Sequence, residues 1–598
     1  MTKLQEKKYF KMGYALLLNA VIMAFFLIVF PLHYEMPDDH SYSQFITDGN
    51  YIFYIVDLVL GYIIGMLQRI VYPINAYVIV SIVFSFVSFV SITRVFLDKF
   101  SLVIATAMSF VMLGFFGVNH YETVAFTRMP ALMCLAGLLC VFHYTNKKEH
   151  WKLWTVIGVV LVLLGSLYRF LIFEVSVVVF VFYYIGKSIT DYFGIDKSLR
   201  CLKDFLHIAL KPKRIISLSV AVVLCFAVHY ASYAIYDFDA DYNYYRQYTS
   251  ARSSVYDYDI PKYEDAKEEY NAINIDENDL ELLKAGYFDQ NGALSLKQLQ
   301  SINEIGKKYR KTSNSYIGIL KLMLISEIGN VRAVWKNGTI EIVNNGRVAG
   351  GKGVVYFLIG ILLLLFIVLM KKRYLFIPIL LGIISLALYY YLWIDNKVPF
   401  RAVYPILIGF TVLLMYSFSY DGLRQRFQKR NKCFKKKAVP ICIILIFSML
   451  FSGWGVYLST IYNQYIDFHS DYYNQVNLYK YFEINKNSKY VIARNCPEHT
   501  LTDNIYFTEE NPKYRNYEVF SGTYYNLPFI RERMERFGTE NMYRYLLSEK
   551  TYFVVYAEDS HADMMKAYLQ KYYSNGKTVD YKIVDTIDKY QICKYTLK

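Results

Sequence analysis

The feature that most limits how this sequence can fold is its series of long apolar blocks. Each block runs for about 16 to 23 residues with few or no charged side chains, long enough to cross a hydrocarbon core of about 30 Å as an α-helix. Only 19% of the 598 residues are charged, whereas soluble chains carry about 25%. The sequence therefore predicts an α-helical polytopic membrane protein.

The distribution of lysine and arginine orients these blocks. We predict about 11 transmembrane helices, at residues 13–31, 75–93, 100–118, 124–144, 153–168, 170–186, 215–236, 353–370, 374–394, 400–418 and 438–460. With a cytoplasmic N-terminus, the inner segments carry a net charge of +20, more than the +15 of the whole chain, so the other side is net acidic. The positive-inside rule therefore predicts the N-terminus inside and the C-terminus outside. The basic charge then gives no reason to expect a nucleic-acid partner.

Four regions follow from this topology. They are an N-terminal transmembrane module (1–236) with a first outer loop at 32–74, a large extracytoplasmic loop (237–352), C-terminal transmembrane helices (353–460) and an extracytoplasmic domain (461–598). In the first outer loop, the charges of Asp57 and Arg69 interrupt an apolar stretch, which suits a helix lying along the bilayer surface. If that helix crossed the membrane, every later basic loop would fall outside.

The last region has the pattern of a small α/β domain. Strand-like runs KYVIARNC, TYFVVYAE, DYKIVDT and YQICKYTL alternate with helix-like runs near 526–548 and 560–573. The last two strands are expected to form a hairpin across IDK. Cys496 and Cys593 are predicted to face outside beside strands, and the sequence leaves open a disulfide between them or two free thiols.

The segment MPDDHSYSQF (36–45), just past the outer end of the first span, is the most suggestive candidate for chemistry. Pro37 predicts a helix end and an extended approach, which would hold Asp38 and Asp39 near the membrane surface. Two adjacent carboxylates repel each other, which raises the pKa of one and leaves it able to take a proton. The alternative, from the residues alone, is an ordinary solvated flank.

Together with the topology, this acidic pair resembles the GT-C superfamily of membrane glycosyltransferases. The resemblance covers residues 1–460 and rests on Asp38 and Asp39, the surface helix, seven spans, the large outer loop and the further spans. It implies transfer of a sugar from a polyprenyl-phosphate or polyprenyl-diphosphate carrier outside the membrane, with a carboxylate of the first outer loop as the catalytic group. It also implies that an acid of the second outer loop, here Glu122, assists that carboxylate or binds a metal.

Further charged residues fall on the predicted outer face. His120 and Arg128 flank Glu122 in the second outer loop and are candidates for the substrate groove. The alternatives are an interfacial histidine and a structural pair between Glu122 and Arg128. Arg169 and Glu174 lie between the fifth and sixth spans. Charged groups at membrane depth usually face a protein interior or a pathway, so these two either pair or Arg169 contacts a lipid phosphate.

Arg401, in WIDNKVPFRAVYP, is the strongest candidate for phosphate binding. Its guanidinium can form bidentate hydrogen bonds with phosphate oxygens, and the alternative is snorkelling at a helix end. Lys397 is a second candidate, and the GT-C resemblance implies that such a cation neutralises the carrier phosphate. In the large loop, Tyr245, Arg246 and Arg252 are candidates for a substrate groove, although 60 tyrosines in the chain make tyrosine clusters weak signals.

We therefore expect an inverting glycosyltransferase with an aspartate general base. Its expected partners are a polyprenyl-phosphate sugar donor and a glycan or cell-wall polymer acceptor, in a bacterial plasma membrane. The acidic pair can hold a divalent metal, but no third ligand is evident from the spacing. The alternatives are a transporter or flippase of a lipid-linked glycan, and a non-catalytic protein of envelope assembly.

Overall fold

The computed structural model is mainly α-helical and includes many long apolar helices. It describes residues 8–30, 32–35, 37–52, 56–145, 147, 151–194, 211–256, 258, 260–289, 292, 294–313, 320–321, 323–324, 350–394, 400–418, 476–493, 496, 505–508, 516–520 and 527–598. Within these residues, six helices are long and apolar enough to cross a membrane, and five shorter helices are also apolar. The predicted class, an α-helical polytopic membrane protein, is confirmed.

The N-terminal half is built mainly of helices. Its elements are α1 (Lys8–Val29), β1 (His33–Tyr34), α2 (Pro37–Thr47), α3 (Leu58–Val71), α4 (Ala76–Lys99), α5 (Leu102–Tyr121), β2 (Thr123–Val124), α6 (Arg128–Tyr144), α7 (Trp151–Tyr168), α8 (Phe170–Tyr192) and α9 (Pro212–Phe238). Each of the first seven predicted spans coincides with one of the longer helices. A π-helical turn at Leu113–Gly117 interrupts α5.

The second half contains the large loop, further apolar helices and the C-terminal domain. Its elements are α10 (Ala240–Tyr256), α11 (Lys267–Ala272), α12 (Glu277–Lys284), α13 (Leu296–Ser313), α14 (Gly350–Leu369), α15 (Phe376–Ile394), α16 (Phe400–Ser417), β3 (Lys489–Ile492), β4 (Tyr517–Val519), α17 (Pro528–Phe537), α18 (Met542–Tyr545), β5 (Thr551–Tyr556), α19 (His561–Tyr572), β6 (Val579–Ile587) and β7 (Tyr590–Leu597). The eighth to tenth predicted spans coincide with α14, α15 and α16. The eleventh, 438–460, lies outside the described residues.

Basic ends of several helices meet at one face of the bundle. Lys11 of α1 and Arg94 of α4 both donate to the Asp98 carboxylate, at 3.0 and 2.6 Å. Lys99 donates to the backbone carbonyl of Tyr416, near the end of α16. The positive-inside pattern requires these three helix ends to share a side of the membrane, and they do.

Helix α3 has the properties expected of a helix on the bilayer surface. Its 14 residues extend about 21 Å, too short to cross a core of about 30 Å. Leu60, Ile64 and Gln68 are buried against the protein, whereas Met66 and Ile70 are 55% and 79% exposed. An exposed apolar side chain on a short amphipathic helix is accommodated by lipid at the interface.

The C-terminal region is an α/β domain, as predicted. Its five-stranded mixed sheet has the order β4-β3-β5-β7-β6, with β3 parallel to both neighbours and β7 antiparallel to both of its own. The predicted hairpin is confirmed, because β6 and β7 pair across a two-residue turn. The predicted helix near 526–548 is divided into α17 and α18 by Gly538, whose φ of +107° ends α17.

Cys496 and Cys593 are both buried and are free thiols, so this structure has the two-thiol alternative and not the disulfide. Cys593 lies on β7, opposite Phe553 of β5, whereas Cys496 follows β3, on the other side of β5. Strands that flank a common neighbour are about 9.5 Å apart, beyond the Cα separation of about 4.4 to 6.8 Å that a disulfide spans. The strand order therefore keeps the two thiols apart.

Candidate active site

The acidic pair of the first outer loop opens helix α2. Pro37 begins this helix, so the predicted extended approach to the pair is wrong. Proline is well suited to the first turn of a helix, because an N–H there has no partner within the helix. The two carboxylates have different surroundings, since Asp38 is half-buried and Asp39 is fully buried.

Asp39 joins three segments of the chain through one of its oxygens. The Tyr77 hydroxyl of α4 and the Phe126 backbone N–H of the second outer loop both donate to Oδ1, each at 2.8 Å. The second oxygen, Oδ2, is buried and makes no hydrogen bond. Burial raises the pKa of Asp39 well above its usual range, the nearby Glu35 and Asp38 carboxylates add to that rise, and the two hydrogen bonds oppose it.

A short parallel β-bridge holds the first and second outer loops together. In it, the His33 N–H donates to the Glu122 carbonyl at 2.8 Å, and the Glu35 N–H donates to the Val124 carbonyl at 3.0 Å. The Arg128 guanidinium closes the same junction through a 2.6 Å ion pair with the Glu35 carboxylate. The loop that carries Asp39 is thus fixed to the loop that carries Glu122.

Glu122 is a second buried acid at this junction. Its side chain is 7% exposed, and burial raises its pKa to about 8, while the positive charge of Arg128 opposes that rise. The structure gives Arg128 an ion pair with Glu35 and a 3.1 Å hydrogen bond to the Asn119 amide oxygen. A carboxyl group with a pKa near 8 exchanges protons at neutral pH, which suits an assisting acid or base.

His120 lies in the helical core, with both ring nitrogens engaged. Nδ1 is 3.1 Å from the Ser85 hydroxyl of α4, and Nε2 is 2.7 Å from the Tyr404 hydroxyl of α16. Its ring also meets the Phe89 ring edge-on at 5.3 Å. His120 therefore links α5 to α4 and α16, and both of its ring nitrogens are used in these contacts rather than left to bind substrate.

Arg401 lies one turn before Tyr404 in α16, so the two side chains share a helix face. Its Nη1 atom is buried and makes no hydrogen bond. A desolvated guanidinium nitrogen without a partner is costly, and a phosphate oxygen would satisfy it. Lys397, the second candidate, lies outside the described residues.

Arg169, at the start of α8, lies against Phe126 of the second outer loop. Its guanidinium carbon is 5.3 Å from the centre of the Phe126 ring, the residue whose N–H donates to Asp39. Between these two described side chains, no ion pair joins Arg169 to Glu174. The alternative of a structural pair with Glu174 therefore loses its support.

The groove candidates of the large loop separate into two groups. Tyr245 and Arg246 line a small cavity with Tyr233, Tyr236, Tyr242 and Leu527. Arg246 also forms an ion pair with Asp237. Arg252 is buried inside the loop, 5.4 Å from the centre of the Phe288 ring, and it lines neither this cavity nor the larger cleft described below.

One contact at the same face was missed by sequence reasoning. Asp57, immediately before α3, is 3.0 Å from Nδ1 of His229 in α9, and burial raises the pKa of Asp57 while His229 opposes that rise. The His229 ring stacks on Phe170 at 3.6 Å between centres. The only sequence signal was an acidic residue in one apolar stretch and a histidine in another, 172 residues apart.

The described residues do not form a metal centre. No group of three histidine, cysteine, aspartate or glutamate side chains among them is arranged to hold a metal ion. Asp39 uses one oxygen for two hydrogen-bond donors and lies in a site that also contains Arg128. The donor set therefore does not fit the divalent metal considered from the sequence.

Comparisons with known proteins found similarity among solved structures. No protein-family model matches the chain, and no curated protein matches its sequence. The chain is similar to the crystal structure of ArnT from Cupriavidus metallidurans bound to undecaprenyl phosphate, at 11% identity and a TM-score of 0.49, over 97% of this chain and 98% of that chain. It is also similar to ArnT from the same organism in the apo state, at 10% identity and a TM-score of 0.40, over 97% of each chain. Because both TM-scores are below 0.5, the proposals below rest on the residues of this chain.

Proposed function

We propose that this chain is a GT-C-type glycosyltransferase that moves a sugar from a polyprenyl-phosphate-linked donor to a cell-envelope acceptor outside the membrane. The observation that carries the proposal is Asp39, a fully buried carboxylate with one oxygen held by two donors and the other unpartnered. Buried polar atoms are nearly always hydrogen-bonded, so an unsatisfied carboxylate oxygen calls for a ligand. It lies in the loop where the GT-C resemblance expects the catalytic carboxylate.

The chemistry follows from the two oxygens of Asp39. The Tyr77 and Phe126 donors fix Oδ1, so the carboxylate keeps one orientation while Oδ2 accepts the hydroxyl proton of the acceptor. As that proton moves to Oδ2, the acceptor oxygen attacks the anomeric carbon from the face opposite the carrier. The bond from that carbon to the phosphate oxygen breaks, its electron pair leaves with the carrier phosphate, and the anomeric configuration inverts.

The raised pKa of Asp39 suits a general base. Because burial disfavours its ionised form, Asp39 is a stronger base when ionised than a solvated aspartate. General-base assistance contributes about 10² to 10⁴ in rate, and the remaining acceleration comes from positioning and from stabilisation of charge on the phosphate. Glu122, with its pKa of about 8, is proposed to assist the proton transfer.

The carrier phosphate is proposed to bind Arg401 and Arg169. Arg401 offers a buried guanidinium nitrogen without a partner, and Arg169 lies against the Phe126 ring of the loop that positions Asp39. A guanidinium matches two phosphate oxygens at once and stays charged throughout the reaction. Lys397 stays a third candidate for the same phosphate.

The remaining candidates hold this site or extend it. Arg128 fixes the two outer loops through Glu35, and His120 fixes α16, which carries Arg401, to α4 and α5. Tyr245 and Arg246 are proposed to line a substrate groove. Arg252 is proposed to stabilise that loop from within.

A transfer assay with purified protein tests the proposal. The protein is incubated with a panel of polyprenyl-phosphate sugars and mixed envelope glycans, and released polyprenyl phosphate is measured. We expect release from at least one donor, dependent on the glycans. A transporter or a non-catalytic assembly protein would release none across the panel, which would contradict the proposal. We place the protein in a bacterial plasma membrane with its N-terminus inside, so the site would face the envelope.

A further inference from the structure

A cleft separate from the Asp39 site opens where three outer segments meet. The end of α2, the start of α10 and one face of α17 form it, and its volume is about 810 Å³. Its walls are formed by Asp48, Gly49, Asn50, Tyr242, Phe529, Glu532 and Glu535. A space of this size accommodates a ligand of several rings.

The described side chains that line the cleft carry negative charges only. Glu532 and Glu535 are exposed and three residues apart on α17, so they project from one face of that helix. Asp48 adds a third carboxylate, and the described lining residues include no lysine or arginine. Such a surface repels anionic ligands and accepts hydrogen bonds from hydroxyl and ammonium groups.

Two aromatic rings complete the lining. Tyr242 and Phe529 border the same space as the carboxylates. Flat aromatic rings provide apolar area at low entropic cost, while carboxylate oxygens accept hydrogen bonds. A sugar ring presents apolar C–H faces and a rim of hydroxyl donors, so this combination matches a carbohydrate better than a lipid chain or an anionic polymer.

The cleft is held in place by contacts between the domains. The Phe529 ring meets the Phe45 ring of α2 edge-on at 6.0 Å, and Arg531 forms a 2.8 Å ion pair with Asp241 of α10. Tyr242 lines both the cleft and the small tyrosine cavity near Arg246, so the two spaces share a wall. The C-terminal domain thus supplies one side of a preformed site.

Helix α2 links the cleft to the Asp39 site. Asp39 lies in its first turn, and Asp48 follows its last residue, Thr47. Nine residues of α-helix span about 14 Å. A ligand that occupied both places would therefore be an extended chain of linked rings rather than a monosaccharide.

We propose that this cleft is a subsite for the acceptor, and that it selects a carbohydrate chain without negative charge, with preference for one that carries free amino groups. That the bound chain is a sugar acceptor rests on the proposed function. That it is an uncharged or amino-bearing carbohydrate rests on the cleft alone. In this proposal the C-terminal domain binds the acceptor chain, and the end of that chain extends to Asp39.

Direct binding of three matched oligosaccharides tests the proposal. Full-length protein in nanodiscs is titrated at low ionic strength with hexamers of glucosamine, N-acetylglucosamine and galacturonic acid. We expect the tightest binding for the glucosamine hexamer, weaker binding for the neutral hexamer, and affinity at least about tenfold lower for the acidic hexamer. Equal or tighter binding of the acidic hexamer would overturn the proposal.

Variants then locate the binding to the cleft. The double variant Glu532→Gln with Glu535→Gln should lose the preference for the glucosamine hexamer, and Glu532→Lys with Glu535→Lys should reverse it towards the acidic hexamer. The matched control is Glu540→Gln with Glu549→Gln, which removes the same charge from exposed positions of the same domain outside the cleft. If the charge-reversed variant kept the original preference, the cleft would not be the binding site.

The two proposals can fail independently. Binding of the hexamers is titrated without donor lipid, whereas transfer is measured as release of carrier phosphate, so each result is obtained without the other. Release of carrier phosphate with no cleft-dependent binding would contradict the acceptor subsite alone. Cleft-dependent binding with no transfer from any donor would contradict the proposed function and leave a carbohydrate-binding protein.

Discussion

Asp39 has two carboxylate oxygens in different surroundings. Oδ1 is held by two donors, and Oδ2 is buried without a hydrogen bond. The sequence indicated the pair Asp38 and Asp39 but could not tell which member is buried. Successive residues of an α-helix point about 100° apart, so the answer depends on which face of α2 packs against the protein. That packing is set by Tyr77 and Phe126, which are distant in sequence.

The raised pKa of Glu122 predicts that the stability of the protein depends on pH. Its folded-state pKa of about 8 exceeds the ordinary value of 4.5, so the folded protein binds a proton that the unfolded chain has released between these values. Stability is therefore lost as pH rises through that window, by at most about 1.4 kcal/mol per pH unit. Glu122→Gln removes this loss, so thermal unfolding from pH 5 to 8 should show a growing advantage of the variant over the wild type. A constant difference across this range would contradict the burial of Glu122.

We predict that substitution of Arg401 weakens binding of the donor lipid and not of the acceptor. Arg401→Ala should weaken binding of polyprenyl phosphate about 10-fold to 100-fold, because hydrogen bonds to charged groups contribute about 1.5 to 3 kcal/mol. The KM for the acceptor should stay the same. Arg214→Ala, at the start of α9, makes the same change at the opposite, basic face and should leave donor affinity intact. Equal donor affinity in the Arg401 variant and the wild type would remove Arg401 from the phosphate site.

Helices α6 and α7 cross at a pair of glycines. A Cβ atom added at Gly137 would lie 2.5 Å from the Gly158 carbonyl oxygen, and one added at Gly158 would lie 2.7 Å from the Gly137 carbonyl oxygen. Small residues let transmembrane helices approach closely. We predict that Gly137→Ala forces the helices apart and lowers the unfolding temperature. Gly382→Ala is the matched control, because a Cβ there meets nothing within 4 Å and alanine favours a helix by about 1 kcal/mol over glycine. Equal stability of the two variants would contradict the close crossing.

Element by element, the sequence predicted helices better than strands. Ten predicted spans coincide with helices because a long apolar run has few alternatives to a helix in a membrane. The strands β3, β5, β6 and β7 were recognisable from apolar alternation, but the three-residue β4 was too short to leave a pattern. The sequence could not decide between a disulfide and two free thiols at Cys496 and Cys593, because local sequence does not reveal that β5 lies between β3 and β7.

At the scale of the whole molecule, Asn75 connects the C-terminal domain to the candidate site. Its side-chain amide donates to the Ser43 hydroxyl at 2.7 Å and to the Ile505 carbonyl at 2.9 Å, and its backbone N–H donates to the Tyr506 carbonyl at 2.8 Å. Asn75 is two residues before Tyr77, which holds Asp39. Contacts of this kind join positions 430 residues apart, so no local pattern in the sequence could reveal them.

Asn75→Asp therefore tests how the domains are coupled. The substitution replaces an amide donor with a carboxylate oxygen that faces the Ile505 carbonyl, which can only accept, and this should detach residues 505–508 from the first outer loop. We expect faster hydrogen exchange in 505–508 and reduced transfer, although Asn75 touches no substrate in the proposed mechanism. Asn243→Asp is the control, because its side-chain oxygen only accepts from Gln247 and an aspartate oxygen can do the same. Unchanged exchange in the Asn75 variant would contradict the coupling.

The central claim is that the Asp39 carboxylate takes the acceptor proton, and single-turnover transfer by Asp39→Asn tests it most directly. Asparagine can keep both hydrogen bonds at Oδ1, from Tyr77 and Phe126, while it removes the basic oxygen. Asp38→Asn makes the same chemical change one residue away. We predict a loss of at least about 10² in the transfer rate for Asp39→Asn, with donor binding intact and a smaller loss for Asp38→Asn. A wild-type rate in Asp39→Asn, or the larger loss in Asp38→Asn, would contradict the claim.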